Sequence, residues 1–301
     1  MMSGVSQRNI GVILAALGAV LFSTKAVLVK LAFAYPLTPE ALLSLRMLFA
    51  APLFFFVAMR ANHDIPRLSL ADALSVVALG LIGYYAASLL DFAGLSRISV
   101  DLERLLLYTY PLIVIVLSAV AFSRPIMRKD IVAFGITYVG LALVVVDDRT
   151  KAAAASGWGE GVLLVLLSAA AYAVYLIGSQ KIIARLGAKR FTSLAMLAAT
   201  GGVFLHYGLS NPRFSLLEQP AAVYGYGFAL GIFSTVLPSF LTSEGIARIG
   251  AAHTAIIGAA GPIATLLMAW LLLGEAITGV QLLGTILVLY GVRQASSSPT
   301  R

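Results

Sequence analysis

Apolar segments of membrane-spanning length follow one another along the whole chain, with only short polar interruptions. About 20 apolar residues coiled into a helix match the hydrocarbon thickness of a bilayer. Ten such segments can be drawn, at 10–32, 38–59, 70–94, 99–122, 129–147, 158–181, 190–208, 221–243, 251–273 and 277–293. The breaks carry turn and charge clusters: Tyr35-Pro36, Asn62-His63-Asp64, Ser123-Arg124-Pro125, Asp147-Asp148-Arg149, Asn211-Pro212 and Gly274-Glu275. Composition decides between a buried core and lipid. With 60% hydrophobic and 11% charged residues, there are too few polar side chains to cover a water-soluble globule, which usually carries about a quarter charged residues. Disorder is excluded on the same ground. The expected fold is all-α: a polytopic membrane protein of ten transmembrane helices with short loops.

The net charge of +8 comes from 21 Lys and Arg against 13 Asp and Glu. In this setting it is read as loop charge that orients the chain, not as a nucleic-acid footprint. With the N-terminus inside, 13 of the cations fall on inner segments and 4 on outer loops, the rest lying in or at the ends of helices. That bias predicts an even number of spans, with both termini cytoplasmic in a bacterial inner membrane. Trp158 and Trp270 then fall near outer helix ends, as interfacial anchors. The first apolar run is too long for a cleavable signal peptide and lacks a small-residue cleavage site. Cysteine is absent, so no disulfide framework or thiolate metal site exists. No phosphate-binding G-x-x-x-x-G-K motif, zinc-protease motif or His cluster occurs. No ATP motor, enzyme site, metal or cofactor is expected. The expected partners are a small-molecule substrate and the lipid bilayer, with the chain acting as a monomer.

Shifting the sequence by 151 reveals an internal repeat. Ala78-Leu79-Gly80 meets Ala229-Leu230-Gly231, Ser88 meets Ser239, Gly94 meets Gly245, Arg97-Ile98 meets Arg248-Ile249, Pro111 meets Pro262 and Gly140 meets Gly291. Earlier in the chain the shift is 150 or 149, pairing Gly11 with Gly161 and Ser44-Leu45 with Ser193-Leu194. The expected domains are therefore 1–148 and 149–301. Five helices is an odd number, so the second copy crosses in the opposite sense. Such inverted repeats are frequent in secondary transporters, where two similar halves exchange conformations to alternate access.

Leu272-Leu273-Gly274-Glu275-Ala276, followed by Gln281, Gly284 and Gly291-Val292 and preceded by Pro262, resembles the end of an EamA-type repeat. On these residues the chain is similar to the drug/metabolite transporter superfamily over nearly its whole length. The first repeat departs from the pattern, with Ser123-Arg124-Pro125 where the second has Gly274-Glu275-Ala276. The resemblance implies a ten-helix secondary exporter of metabolites, with amino acid exporters, including aromatic ones, as the nearest group.

Charge at bilayer depth costs about 2.5–3.5 kcal/mol on insertion scales, so each case needs a reason. Lys25 either faces a cavity, attracting a carboxylate or pairing with an acid, or snorkels to the headgroups. Lys30, a turn further out, fits snorkelling. Arg46 on the second segment poses the same choice as Lys25. Asp91, Asp101, Glu103 and Arg104 cluster at the outer ends of the third and fourth segments. Their repeat partners are uncharged. These four are expected to form gate ion pairs, with ordinary interfacial pairing as the alternative. Helical spacing adds candidate substrate-binding faces: Phe22 and Lys25; Tyr84 and Ser88 with Asp91; Arg104 and Tyr108; and Ser168, Tyr172, Tyr175 and Ser179. Pro111, Pro238 and Pro262 are placed well inside helices, as hinges or static kinks. Gly227 and Gly231 form a G-x-x-x-G packing face. His253 is placed at the start of the ninth segment.

The first helix lacks an acidic residue, so the carboxylate mechanism of small multidrug exporters does not transfer. Lys25 and Arg46 favour a zwitterion or an anion. Amino acid export is the first reading, and sugar-phosphate or nucleotide-sugar exchange the second. A channel or a membrane-embedded enzyme fits less well.

Overall fold

A computed structural model describes residues 2–60, 68–122, 126–151, 157–211, 215–258 and 260–296. The described residues are helical, with short connections and a single 3-10 turn at Ser215–Glu218. The helices are α1 (Met2–Ala32), α2 (Pro39–Arg60), α3 (Leu70–Gly80), α4 (Ala87–Leu95), α5 (Val100–Leu107), α6 (Tyr110–Phe122), α7 (Arg128–Lys151), α8 (Trp158–Leu186), α9 (Ala188–Ser210), α10 (Ala221–Gly231), α11 (Leu237–Gly258), α12 (Ala260–Leu273) and α13 (Gly279–Ser296). Two π-helical segments, Leu81–Ala86 and Ile232–Val236, join α3 to α4 and α10 to α11 without a break. Among the described residues, seven helical runs are long and apolar enough to cross a membrane, and Gly261–Leu273 is a shorter apolar helix.

Local chemistry explains where the segmentation departs from expectation. The fourth segment, read as one helix over 99–122, is two. Ser99 caps α5 by accepting from the Leu102 amide at 3.2 Å. A turn at Tyr108-Thr109 then separates α5 from α6, and the Thr109 hydroxyl donates to the Leu106 carbonyl at 2.7 Å. The loop expected near 243–251 is helical instead, because α11 runs on to Gly258. Both changes move prolines. Pro111 and Pro262 sit in the first turns of α6 and α12, not well inside helices. There a missing N–H costs nothing. Pro238 does lie within a continuous helical run, just after the second π segment. The side chain of His253, which lies within α11, is outside the described set.

The helices pack in reciprocal pairs. α1 lies along α11 while α8 lies along α4; α2 lies along α10 while α9 lies along α3; α7 lies along α13. The glycines show how close these approaches are. A Cβ on Gly231 would sit 2.8 Å from the Arg46 carbonyl oxygen, and one on Gly80 would sit 2.3 Å from that of Ala195. Gly80 and Gly231 are repeat partners, and so are Arg46 and Ala195. Likewise Gly11 abuts Arg248 and Ile249, and Gly161 abuts Arg97 and Ile98. Gly227 abuts Leu45, so the G-x-x-x-G face of α10 packs on α2 as expected. The buried core at the centre joins Ala26, Val29, Leu42, Leu43, Met47, Phe92 and Leu95 of the first half to Ala199, Val203, Leu230 and Ala269 of the second.

Candidate functional site

Charged groups converge where α1, α2, α4 and α5 meet. Lys25, seven residues before the end of α1, forms an ion pair with Asp91 of α4 and lies 3.7 Å from Glu103 of α5. Asp91 and Glu103 are 2% and 0% exposed, so both carboxyl groups are out of contact with water. The pairing resolves the Lys25 alternative: its charge is met by acids inside the bundle. Lys30, by contrast, donates to the Leu95 and Ile98 carbonyls at 3.3 and 2.7 Å and closes the end of α4.

Arg46 of α2 is held differently. Its Nε donates to the Thr235 hydroxyl at 2.8 Å and its Nη1 to the Ser88 hydroxyl at 3.2 Å, while the guanidinium stands 5.6 Å from the centre of the Phe92 ring. Among the described residues no carboxylate forms an ion pair with it. The Arg46 charge is met by hydroxyl dipoles and a ring.

Arg104 points toward the second half. Its Nε donates to Thr265 of α12 at 3.1 Å and its Nη2 to the Phe22 carbonyl of α1 at 3.0 Å. Asp101 does not join this cluster. Residues two apart on a helix do not share a face, so Asp101 turns away from Glu103 and accepts from Gln281 of α13 at 3.0 Å. Of the residues expected to form the gate, Asp91 and Glu103 come together on Lys25, while Arg104 is bonded to Thr265 and Phe22 and Asp101 to Gln281.

The π segments place the hydroxyls. A π-helical turn widens the ladder by one residue and re-aims the side chains after it, frequently at functional sites. Thr235, in the second segment, donates to the Leu230 carbonyl five residues back at 2.8 Å and accepts from Arg46. Its neighbour Ser234 meets Thr24 of α1 at 2.6 Å. In the first segment Tyr84, the repeat partner of Thr235, meets the Tyr175 hydroxyl of α8 at 2.9 Å. The two segments begin at Leu81 and Ile232, 151 positions apart, the same offset as the repeat.

From Tyr84 an aromatic row extends across α8. Tyr175 stacks on Tyr172 with centroids 5.8 Å apart, Tyr172 meets Tyr110 edge-on at 5.1 Å, and Tyr110 meets Tyr108 at 5.9 Å. Phe191 of α9 backs Tyr175 at 5.9 Å. The two serines of the same α8 stripe are committed to packing: Ser168 donates to the Ala87 carbonyl at 2.7 Å and Ser179 to the Leu176 carbonyl at 3.0 Å.

At the other end of α1 the bundle opens. A cavity of about 680 Å³ is lined by Leu14, Phe56, Val57, Arg60, Lys189, Phe240, Glu244 and Arg248. Glu244, beyond the membrane-spanning run of α10 and α11, is paired with Lys189 at 2.8 Å and with Arg248. The two cations hold its carboxyl below the usual carboxylate range.

Sequence reading therefore found the cations and acids but missed Thr235 and Thr265, which hold Arg46 and Arg104, and the neutral residues Thr24, Ser234, Tyr110 and Phe191. A signal existed for two of these. Carrying Gly83-Tyr84 forward by 151 lands on Ser234-Thr235.

Comparison with known proteins gives this geometry a context. The profile described as the EamA-like transporter family matches residues 9–146 and again 159–296. An uncharacterized transporter of Bacillus subtilis strain 168, YcbK, is 30% identical over 294 residues, covering 94% of this chain and 91% of its own. An uncharacterized transporter of Archaeoglobus fulgidus is 27% identical over 256 residues, covering 85% and 88%. A crystal structure aligns with TM-score 0.68 at 19% identity, over 95% of this chain and 96% of its own, which shows a shared fold.

Proposed function

Because this chain belongs to the EamA-like transporter family and is an integral membrane protein, we propose that it exports amino acids or similar small zwitterions by alternating access. It is a secondary transporter of ten spans in two inverted five-helix repeats, divided at 148–149, with both termini cytoplasmic in a bacterial inner membrane. The reciprocal glycine contacts support the inverted arrangement, since an approximate two-fold exchange of halves makes each contact recur with the partners swapped. Asp91, Glu103, Lys25 and Arg104 act as the gate on the outer side. Asp101 pins α13 beside it, and Pro111, Pro238 and Pro262 mark where the helices flex.

The observation that carries the substrate class is Arg46. It is 5% exposed and tied to Thr235, Ser88 and the Phe92 ring. Its planar fork suits a carboxylate bidentately. Tyr84, Tyr172, Tyr175 and Tyr108 line the approach with apolar faces, as a small-molecule pocket requires. Phe22, Ser88, Ser168 and Ser179 complete the wall, Ser168 also tying α8 to the Ala87 carbonyl. Lys25 adjoins the pocket, but its charge is already met by Asp91. A single guanidinium beside these rings fits a carboxylate better than a phosphate, which favours amino acids over sugar phosphates.

The test is counterflow in liposomes against panels of amino acids and sugar phosphates. The expected result is saturable, trans-stimulated exchange of an amino acid, lost at least tenfold in Arg46→Ala. Exchange of sugar phosphates alone supports the second reading. Flux without trans-stimulation overturns the carrier mechanism.

A further inference from the structure

Glu103 presents a chemical problem that its neighbours cannot solve as a carboxylate. It is fully buried, and neither oxygen has a hydrogen-bond donor. Among the described residues the ammonium within reach is that of Lys25, which sits on Asp91 and leaves Glu103 at 3.7 Å. Asp91 and Glu103 are thus two buried carboxyls set against one ammonium. Two buried carboxylates that share one cation repel each other, and a proton on one of them removes that repulsion.

The other charged groups nearby are already engaged. Arg104, on the same helix, is bonded to Thr265 and the Phe22 carbonyl. Arg46 of α2 is bonded to Thr235 and Ser88. Lys30 of α1 is bonded to backbone carbonyls. On α7, Asp147 accepts from Thr278 at 3.1 Å and Asp148 from Trp158 at 2.7 Å. On α8, Glu160 pairs with Arg97 at 3.3 Å and Arg185 with Asp72. On α12 the sequence holds no titratable residue.

We propose that the Lys25–Asp91–Glu103 triad is the site of a coupling proton, bound on Glu103 and released as the bundle moves. The inference rests on the transporter reading and adds its co-transported ion. In the bound form the triad is neutral: an ammonium, a carboxylate and a carboxylic acid whose O–H donates to Asp91. Release breaks that O–H bond, the electron pair stays on Glu103, and the proton passes to water. The Lys25 ammonium then moves to sit between two carboxylates. Proton loss and the position of α1 against α4 and α5 are thereby tied together, as an ion-coupled carrier requires.

Two measurements on the full chain separate this inference from the function it builds on. In purified protein, the infrared difference between wild type and Glu103→Gln shows a protonated carboxyl C=O band at neutral pH, and that band titrates away in wild type as pH rises. Asp91→Asn replaces the charged acceptor of that proton's hydrogen bond with a neutral amide and shifts the band, an independent check should E103Q fold poorly. In liposomes, steady-state accumulation of the exchanged solute follows an imposed pH gradient, roughly tenfold per pH unit for one proton per solute. In E103Q the pH profile is flat, whatever its absolute rate. A wild type without the band at neutral pH, or with a band that persists in E103Q, overturns the proton site. Solute exchange indifferent to a pH gradient overturns it too, and leaves the carrier standing. The band present with no solute exchanged supports the proton site and counts against the carrier instead.

Discussion

At the scale of single residues, the contrast between Lys25 and Arg46 organises the site. Both are cations in the membrane, on neighbouring helices. Lys25 is neutralised by a buried acid, whereas Arg46 is steadied by hydroxyls and a ring. Removing Lys25 strands Asp91 in a low dielectric. Breaking a buried pair in this way costs about 3–5 kcal/mol, while replacing both partners together is far milder. Lys25→Met is therefore expected to lower the thermal midpoint sharply. The double replacement Lys25→Met with Asp91→Asn should recover most of the loss, as followed by a thermal-shift assay in detergent. If the double variant is as unstable as the single one, the pair is not what holds Lys25 in place. Arg46 behaves differently under Arg46→Lys, which keeps the charge and loses the fork. Stability should change little, while the substrate KM rises about tenfold or more.

At the scale of elements, the two π segments turn α3–α4 and α10–α11 toward the centre. Thr235 anchors the second, since one hydroxyl both caps the Leu230 carbonyl and holds Arg46. Thr235→Val keeps the shape and removes both bonds, so transport is expected to fall about tenfold while the protein still folds. The hydroxyls of Thr24 and Ser234 are 2.6 Å apart, near the roughly 2.0 Å of a disulfide. The chain has no cysteine to interfere. In Thr24→Cys with Ser234→Cys, oxidation should arrest exchange and a reductant should restore it; undiminished exchange after verified cross-linking would show that α1 and the second π segment do not move apart. This scale also shows what could be read in advance. Spans were legible because apolar length is a strong signal, and Lys25, Arg46, Asp91, Glu103 and Arg104 stood out because charge in lipid is rare. The π segments were not legible, because Leu81–Ala86 and Ile232–Val236 are ordinary helix-forming stretches whose register is set by packing. Thr235 was reachable only through the repeat, as the partner of Tyr84, and Thr265 could not be picked out, since a hydroxyl in a helix can bond its own backbone. Pro111 misled because the turn at Tyr108-Thr109 lies in an otherwise unbroken apolar run. Asp101 misled because sequence proximity to Glu103 hid its opposite face.

At the scale of the whole molecule, matched positions do matched work in packing but not in charge. A side chain added at Gly80 meets the Ala195 backbone, and one added at Gly231 meets the Arg46 backbone. Gly80→Val and Gly231→Val should therefore destabilise by similar amounts, measured as loss of folded protein on heating. A large difference between them would mean that the two interfaces are not equivalent. Two alike halves would by themselves give a symmetric double well, with the end states equally deep. The buried acids and their lysine belong to one half alone, and their counterparts in the other are Thr242, Thr254 and Tyr175. This tilts the well. In the proposed cycle, opening the charged end parts ions where water is scarce, whereas the end with the 680 Å³ cavity is lined by the more exposed pairs of Glu244 with Lys189 and Arg248, which part at less cost. A solute arriving from the cavity end then meets the lower barrier; one arriving from the far side waits for the ions to part. The same binding residues then present unequal half-saturation constants to the two faces of the membrane, and the carrier rectifies without needing a second site.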